Sequence, residues 1–288
     1  MLFSRPAHQT KHLPLLDYNF RDFCLHLAQL DDGVTNGSAL WLGAQCLTLY
    51  LFEVLKIKSS RTAAGNRPKA IELGSGIGLS ALALSAMGWD VIATDLPEVI
   101  SSVLSNNISR NLSQLPDGCG TIQVRILNWA VSPDQWVWDN DRVIGSPSPQ
   151  FPSEATAEGE RLQPPFDLII SSDTLYSRAL VQPLLRTLHS LCMLSVNSSS
   201  PPRSPVVYLC VERRDPVLID QALSDAKTKW NFDVERVPHK KVAKAMAKGG
   251  IKWEREDWDG VEIWKLSLRR ENENTNHLPV PSGRDNHA

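Results

Sequence analysis

The chain has 288 residues, of which 42% are hydrophobic, so it has the apolar content of a globular protein and is not disordered throughout. Its 30 Lys and Arg and 32 Asp and Glu residues give a formal net charge of -2, which argues against a general attraction to nucleic acid or to an anionic membrane. The five cysteines form no C-x-x-C pair, and no stretch approaches the ~18 consecutive apolar residues of a membrane helix. We therefore expect a cytoplasmic protein with no metal site and no disulfide framework.

The N-terminal part of the chain differs in pattern from the rest. Residues 1–38 have a mixed composition and are expected to form an N-terminal extension with a short helical stretch around residues 20–30. Apolar residues at helical spacing then predict an amphipathic helix that begins near Leu40. From residue 69 onward, short apolar runs alternate with helical patterns. The predicted strands, in chain order, are KAIEL, DVIATD, TIQVRIL, FDLIISSD, VVYLCVE, FDVERV and VEIWKLSL.

Strands that alternate with helices of roughly 10–15 residues are typical of βαβ units. The pattern therefore predicts one α/β domain over residues 39–270, with seven strands in a mostly parallel sheet. The last two strands are expected to form an antiparallel pair at one edge. Residues 131–165 are rich in Pro, Ser and acidic side chains and are predicted to be an insertion, and residues 271–288 to be a disordered tail.

A glycine-rich turn follows the first predicted strand of the sheet, in the run Gly74-Ser75-Gly76-Ile77-Gly78. Glycines let the backbone turn tightly and approach a ligand, and the helix that follows offers N–H groups at its positive end. The glycines alternate singly and do not form G-x-G-x-x-G, so a dinucleotide-dependent dehydrogenase is disfavoured. A tight turn without a ligand is the alternative reading.

A single carboxylate, Asp95, ends the next predicted strand, about 20 residues downstream of the glycine turn. In doubly wound sheets an acidic residue at this point accepts hydrogen bonds from ribose hydroxyls. The alternative is a helix N-cap, because Pro97 and Glu98 follow directly.

Five segments together resemble a known family. The run Glu72–Gly78, followed by Ala93-Thr94-Asp95, resembles the nucleoside-binding motifs of seven-strand S-adenosylmethionine-dependent methyltransferases. Three more are similar to the family-16 protein methyltransferases, which are mostly protein-lysine enzymes, and these are Gly37-Ser38-Ala39-Leu40-Trp41, Asn128-Trp129 and Ser172-Asp173-Thr174-Leu175-Tyr176. The resemblance covers roughly residues 35–270. The runs SGIGLSALAL and ATDLP look most like the branch that methylates elongation factors. One departure is Ala130, where the family often has glycine.

The resemblance implies a Rossmann-like class I methyltransferase fold, with helices on both faces of the sheet, and S-adenosylmethionine as cofactor. The residues expected to hold the cofactor are Trp41, Gly74, Ser75, Gly76, Asp95, Trp129 and Ser172. Asp173 and Tyr176 are expected to be catalytic and to position a lysine amine. Their residue types suit this chemistry, since a carboxylate and an aromatic face attract a cationic side chain. The alternatives are packing for Trp41, Trp129 and Tyr176 and a helix N-cap for Asp173.

The function implied is protein N-lysine methylation by a monomer, with elongation factor 1-alpha as a possible substrate and no nucleic acid or membrane as partner. Two alternatives stay open: a methyltransferase for nucleic acid or a small molecule, and a non-catalytic cofactor-binding interaction module. Lysines recur at near-helical spacing over residues 240–252. They predict a solvated helix face or a docking face for an acidic protein surface.

Overall fold

The computed structural model describes residues 4–30, 36–55, 67–148 and 160–269. The predicted tail at 271–288 lies outside these residues, as does the middle of the predicted insertion. The strands are β1 (Leu15–Phe20), β2 (Phe23–Ala28), β3 (Lys69–Leu73), β4 (Asp90–Asp95), β5 (Ile122–Leu127), β6 (Val143–Gly145), β7 (Leu168–Ser172), β8 (Val206–Glu212), β9 (Phe232–Arg236) and β10 (Val261–Leu268).

The helices of the described chain pack on both faces of the larger sheet. They are α1 (Leu42–Val54), α2 (Leu79–Ala86), α3 (97–111), α4 (Arg178–Asn197), α5 (Pro216–Thr228) and α6 (His239–Lys248). Helix α3 has three segments, Pro97–Val99, Ile100–Leu104 and Ser105–Asn111, and the middle one is π-helical.

The larger sheet has eight strands in the order β6-β5-β4-β3-β7-β8-β10-β9. All pairs from β6 to β8 are parallel, while β10 runs antiparallel to both β8 and β9. The seven predicted strands are all present, and the antiparallel pair at one edge is confirmed. The eighth strand is β6, which pairs with β5 from within the segment predicted to be an insertion. This strand order is the α/β, Rossmann-like architecture expected from the sequence.

Alternate residues of the central strands enter two separate hydrophobic cores. In β3, Ala70 packs in the core with helices α1, α2 and α6, whereas Ile71 packs in the core with helices α4 and α5. Both faces of the parallel strands are therefore covered, which is why these runs are continuously apolar in the sequence. The expectation of helices on both faces is confirmed.

Helix α4 is long and apolar enough, by length and composition alone, to cross a membrane. In this fold its residues Leu184, Leu188 and Leu191 are fully buried in the core shared with α5. Core helices of globular domains pass the same test, so this length and composition do not identify a membrane span.

The short helix predicted around residues 20–30 is wrong, because these residues belong to a β-hairpin. Strands β1 and β2 pair antiparallel in a separate two-stranded sheet. Every second residue of β1 is buried, ending with Tyr18 and Phe20, and this two-residue period is that of a half-buried strand. Arg21 adopts a left-handed φ of 56° in the turn between the strands. The alternation of buried and less buried residues therefore decides the structure here, in β2 as well as in β1.

Two buried asparagines of α3 attach this hairpin to the rest of the fold. The side chain of Asn107 accepts a hydrogen bond from the amide of Ala28 and donates one to its carbonyl oxygen, at 2.8 and 2.9 Å. Asn111 makes the same pair of bonds with the backbone of His26, at 2.7 and 2.9 Å. Asn107 also donates to the carbonyl oxygen of Ile77, in the glycine-rich turn. The two amide side chains thus hydrogen-bond to the outer edge of β2 as a neighbouring strand would.

Candidate active site

The carboxyl ends of the parallel strands meet along one edge of the sheet, where they surround a cavity of about 400 Å³. Ligands bind at this edge in open parallel sheets. The cavity is lined by all of the residues predicted for the site, namely Trp41, Gly74, Ser75, Gly76, Asp95, Trp129, Ser172, Asp173 and Tyr176. The structure therefore brings together residues from five separate parts of the sequence.

The glycine-rich turn leaves room that side chains would fill. Gly74 and Gly76 adopt φ values of 73° and 53°, in the left-handed region that favours glycine. A Cβ at Gly74 would lie 2.7 Å from the Thr174 methyl carbon and 3.6 Å from the Trp129 ring. The amides of Gly74 and Ser75 both donate to the carbonyl oxygen of Thr94, which fixes the turn against β4. The turn is thus held as a bare backbone surface beside the cavity.

Asp95 has one backbone hydrogen bond on each carboxylate oxygen. Its Oδ2 accepts from the Gly76 amide and its Oδ1 from the Leu96 amide, both at 2.8 Å. Burial raises its pKa to about 6, against the lowering effect of these two hydrogen bonds. Each carboxylate oxygen can accept more than one hydrogen bond, so both can still receive a hydroxyl from the cavity. This is the bidentate acceptor that a ribose requires.

Trp129 lies beside the glycine turn, directly after β5. Its Nε1 is buried and has no hydrogen-bond partner in the part of the chain that the structure describes. The Asn128 side chain accepts from the Ala130 amide at 2.9 Å and closes the loop. Ala130 is not among the described residues with positive φ, so alanine fits where the family often has glycine. The departure noted in the sequence therefore leaves the backbone of this loop unstrained.

Asp173 connects the end of β7 to the first turn of α1. It has a left-handed φ of 55°, which is uncommon for a residue with a side chain and is found at functional sites. Burial and the nearby Glu212 carboxylate raise its pKa to about 6, while hydrogen bonds from the Gly43 and Ala44 amides lower it. The positive end of α1 thus faces this carboxylate. Ser172, the last residue of β7, lines the cavity next to it.

Tyr176 is at the rim of the cavity and is 57% exposed. Burial of part of its ring and the Asp95 charge raise the pKa of its hydroxyl, whereas a hydrogen bond with the Asn36 side chain lowers it. The hydroxyl is therefore close to the ribose-type acceptor, and the two residues predicted to be catalytic occupy different parts of the site. Asp173 is at the floor and Tyr176 at the entrance.

The sequence analysis missed two charged residues that line the cavity, Glu212 and Arg214. They form an ion pair, and the Arg214 guanidinium carbon lies 4.7 Å from the centre of the Trp41 ring. Lys11 approaches the same ring, with Nζ 3.5 Å from its centre. The sequence contained a signal for Glu212, because it is a charged residue at the carboxyl end of an otherwise apolar strand. Its partners on distant segments could not be read from the spacing.

The cavity suits S-adenosylmethionine, a nucleoside joined to an amino acid through a positively charged sulfur. Trp129 offers a ring face for a purine, and Asp95 offers two acceptors for ribose hydroxyls. The glycine turn allows close approach. Trp129 and Asp95 lie at the ends of β5 and β4, on one side of β3, whereas the Asp173 and Glu212 carboxylates lie at the ends of β7 and β8, on the other side. S-adenosylmethionine is thus the cofactor that fits this set of groups.

A group of possible metal ligands occurs in the described chain, at Asp17, Cys24 and His26. It lies on the N-terminal hairpin, and none of its members lines the cavity. His26 Nδ1 is 2.6 Å from Asp17 Oδ1, so these two side chains contact each other directly. The absence of a catalytic metal stays a prediction.

Comparison with known proteins identifies relatives of this chain. The family model described as lysine methyltransferase matches residues 24–146. The mouse protein-lysine methyltransferase METTL21E (Mus musculus) is 31% identical over 175 residues, which are 59% of this chain and 58% of that protein. The protein-lysine N-methyltransferase rrg1 of Schizosaccharomyces pombe is 30% identical over 112 residues, 38% of this chain and 30% of that protein.

A third relative is the EEF1A lysine methyltransferase 3 of Xenopus tropicalis, 35% identical over 78 residues, which are 27% of this chain and 33% of that protein. The matched part of this chain thus spans between 30% and 58% of the length of these three relatives. Among solved structures, the glycopeptide N-methyltransferase MtfA complexed with S-adenosylmethionine has a TM-score of 0.41 and 11% identity, over 78% of this chain and 87% of that one.

Proposed function

Because residues 24–146 of this chain match the lysine methyltransferase family model, we propose that it transfers a methyl group from S-adenosylmethionine to the side-chain nitrogen of a lysine in another protein. The observation that carries the proposal is the division of the cavity into two ends. Asp95 and Trp129 form a nucleoside-binding end, and Asp173 and Glu212 form an acidic end. A cofactor with a positively charged sulfur and a cationic substrate both suit this arrangement.

The cofactor-binding end of the cavity works by holding its ligand in one orientation. Asp95 accepts the ribose hydroxyls, Trp129 covers the purine, and the glycine turn at Gly74 and Gly76 lets the chain approach without a side chain in the way. S-adenosylmethionine supplies a methyl group on a positively charged sulfur. Trp41 and Ser172 complete the wall on the side of the acidic end.

The acidic end of the cavity attracts and orients the lysine. Asp173 draws in the ammonium group, and Tyr176 limits access at the rim. The lysine must lose a proton before it reacts, since only the neutral amine has a free lone pair. That proton leaves to water. S-adenosylmethionine, when bound, would supply the methyl group to the neutral nitrogen: the N–C bond would form as the C–S bond broke, the electron pair would stay on sulfur, and the product would be a methylated ammonium group. Proximity and orientation can supply up to about 7–11 kcal/mol in favourable cases.

We propose translation elongation factor 1-alpha as the first substrate to test. The support is the similarity of 78 residues to a relative whose name carries that substrate, together with the SGIGLSALAL and ATDLP runs. A cytoplasmic location and a monomeric state are part of the same proposal, and both suit an enzyme that acts on a translation factor. The near-neutral net charge of -2 favours a protein substrate over nucleic acid.

The test is methyl transfer from labelled S-adenosylmethionine to cytosolic extract and to purified elongation factor 1-alpha, followed by mass-spectrometric mapping of the modified residues. The proposal expects label on lysine that protease removes and RNase does not. An Asp95→Ala variant is the negative control, and a Glu256→Gln variant, altered at an exposed glutamate, is the matched surface control.

Three outcomes would contradict the proposal. Label that survives protease but not RNase would indicate a nucleic-acid methyltransferase. Label only in the small-molecule fraction would indicate a metabolite as substrate. Tight cofactor binding without label in any fraction would indicate a cofactor-binding interaction module.

A further inference from the structure

Two cations lie against the aromatic ring at the start of α1. Lys11 Nζ is 3.5 Å from the centre of the Trp41 ring, and the Arg214 guanidinium carbon is 4.7 Å from it. An indole face attracts cations through its quadrupole, and Trp is the strongest of the aromatic side chains in this respect. Trp41 also lines the cavity. It is therefore a cation-binding surface in the wall of the candidate site.

Besides contacting this ring, Arg214 forms an ion pair with a carboxylate of the cavity. Its guanidinium pairs with Glu212, whose side chain is 27% exposed, while the Arg214 side chain is 55% exposed. Glu212 is close enough to Asp173 to raise the pKa of that carboxyl group. Without a nearby cation, the negative charges of Glu212 and Asp173 would repel each other. Arg214 therefore compensates the charge at the acidic end of the cavity.

One cation here contacts an aromatic face and a carboxylate beside the cavity. A lysine ammonium can make both of these contacts in place of the guanidinium. The exchange keeps the charge balance of Glu212 and Asp173, so entry of a lysine would not bury an unpaired charge. Because Arg214 is more than half exposed, its side chain can swing into solvent without disturbing the core.

We propose that Trp41 and Glu212 form an entry site for the ammonium group of the target lysine, and that Arg214 occupies this site until the lysine displaces it. The proposal rests on the proposed function, because it names the route by which the substrate of that reaction reaches the cavity. Arg214 is a positioning residue in this scheme, since it competes with the substrate and does not touch the reacting atoms.

The test uses n-butylammonium, which has the charge and carbon chain of a lysine side chain, as the probe. It is titrated into the full-length protein saturated with S-adenosylhomocysteine, and binding is followed by the 15N–1H signal of the Trp41 indole. A Trp41→Phe variant assigns that signal. Neutral 1-butanol, with the same carbon chain, separates charge recognition from apolar contact.

The variants should change affinity in opposite directions. We expect Arg214→Gln to bind n-butylammonium at least threefold more tightly, because the cation that pairs with Glu212 is gone, while Lys11 stays beside the Trp41 ring in every variant. Glu212→Gln should bind at least threefold more weakly, and Arg255→Gln, altered at an exposed arginine outside the cavity, should match the wild type. The proposal is overturned if Arg214→Gln binds no more tightly than the wild type, or if 1-butanol shifts the signal as much as n-butylammonium does.

This experiment fails separately from the proposed function. Binding of n-butylammonium needs no methyl transfer, so the entry site can be established even if no lysine is labelled. Conversely, lysine methylation with an unchanged Arg214→Gln affinity would leave the function standing and remove the entry site. Calorimetry with S-adenosylhomocysteine checks that each variant is folded. If Glu212→Gln does not fold, the comparison of Arg214→Gln with the wild type still tests the proposal.

Discussion

Gly43, in the first turn of α1, lies directly against the carboxylate of Asp173. A Cβ on Gly43 would be 2.5 and 2.6 Å from the two carboxylate oxygens, closer than real atoms approach. The carboxylate therefore occupies space that only a glycine in the helix leaves open. A helix interior otherwise disfavours glycine by about 1 kcal/mol relative to alanine.

We expect Gly43→Ala to lower the rate of methyl transfer by at least tenfold, because the new methyl group displaces the Asp173 carboxylate. The gain in helix propensity should be offset by overpacking, which costs about 1–3 kcal/mol. Steady-state transfer rates and thermal unfolding measure the two effects. Gly260→Ala is the matched control, since the nearest atom to its new Cβ would be 4.0 Å away. An activity within twofold of the wild type for Gly43→Ala would show that the rate of methyl transfer does not depend on the position of the Asp173 carboxylate.

Cofactor binding should depend on pH through Asp95. Its pKa of about 6 lies above the usual range of an aspartate, so the carboxylate is protonated as the pH falls through 6 and loses one acceptor for the ribose. Affinity for S-adenosylhomocysteine should be constant above about pH 7 and fall by up to tenfold per pH unit below about pH 6. Calorimetric titrations between pH 5 and 8 measure this dependence.

Two amide variants separate Asp95 from the other carboxylate of the cavity. Asp95→Asn should bind weakly at every pH, with no dependence left. Asp173 also has a pKa of about 6, so Asp173→Asn is the matched control and should keep the wild-type pH dependence. If Asp173→Asn flattened the curve and Asp95→Asn did not, the ribose would have been assigned to the wrong carboxylate.

The Trp129 ring should account for much of the cofactor affinity. Stacking of a base on an aromatic ring is worth about 1–3 kcal/mol, so Trp129→Ala should weaken binding of S-adenosylhomocysteine by roughly 5- to 150-fold. Ala130→Gly is the control next to it. It should change the affinity by less than twofold, because Ala130 has no left-handed backbone for a glycine to relieve. Equal losses in the two variants would mean that the loop, and not the ring, binds the cofactor.

Glu72, buried beneath the glycine turn, should lower the stability of the fold as pH rises. Burial raises its pKa from 4.5 to about 8, so between these values the folded chain holds a proton that the unfolded chain releases. Its contribution to stability is fully present below pH 4.5 and is lost as pH rises through about 8, at up to about 1.4 kcal/mol per pH unit. Glutamine, which has the same shape and no charge, should remove this dependence of stability on pH.

Glu72→Gln should therefore raise the free energy of unfolding at pH 7 by about 3 kcal/mol relative to the wild type. Urea denaturation at several pH values between 5 and 8.5 measures the difference, with the surface variant Glu256→Gln as control. The difference between Glu72→Gln and the wild type should grow with pH. Parallel stability curves for these two proteins would show that Glu72 is ionised inside the fold.

The parallel sheet and most of the cavity could be predicted because each depends on residues that are close in sequence. The apolar runs of β3, β4 and β7 are buried on both faces, and the polar residues that follow such strands reach the cavity by the geometry of the sheet alone. Asp95 and Asp173 were found in this way. The three residues of β6 gave no comparable signal, because a strand that short has no measurable period.

What the sequence did not reveal depends on contacts between distant segments. The ring of Trp41 was expected beside the cofactor, but its two cations come from distant segments, Lys11 before β1 and Arg214 just after β8. The hairpin was missed for a different reason. Leu25 and Leu27 alternate as in a strand, but the run is short, and its pairing with a second strand and with Asn107 and Asn111 is what makes it a hairpin.

The asparagine bonds to β2 also limit how the protein can be trimmed for expression. A version that starts at residue 39 would remove the strand to which Asn107 and Asn111 are bonded and expose two carboxamides that are 0% accessible in the intact fold. Asn107 also donates a hydrogen bond to the Ile77 carbonyl oxygen, so loss of the hairpin would also disturb the glycine-rich turn beside the cofactor-binding end. Shortened versions should therefore keep the hairpin, and failure of one that lacks it would say nothing about catalysis.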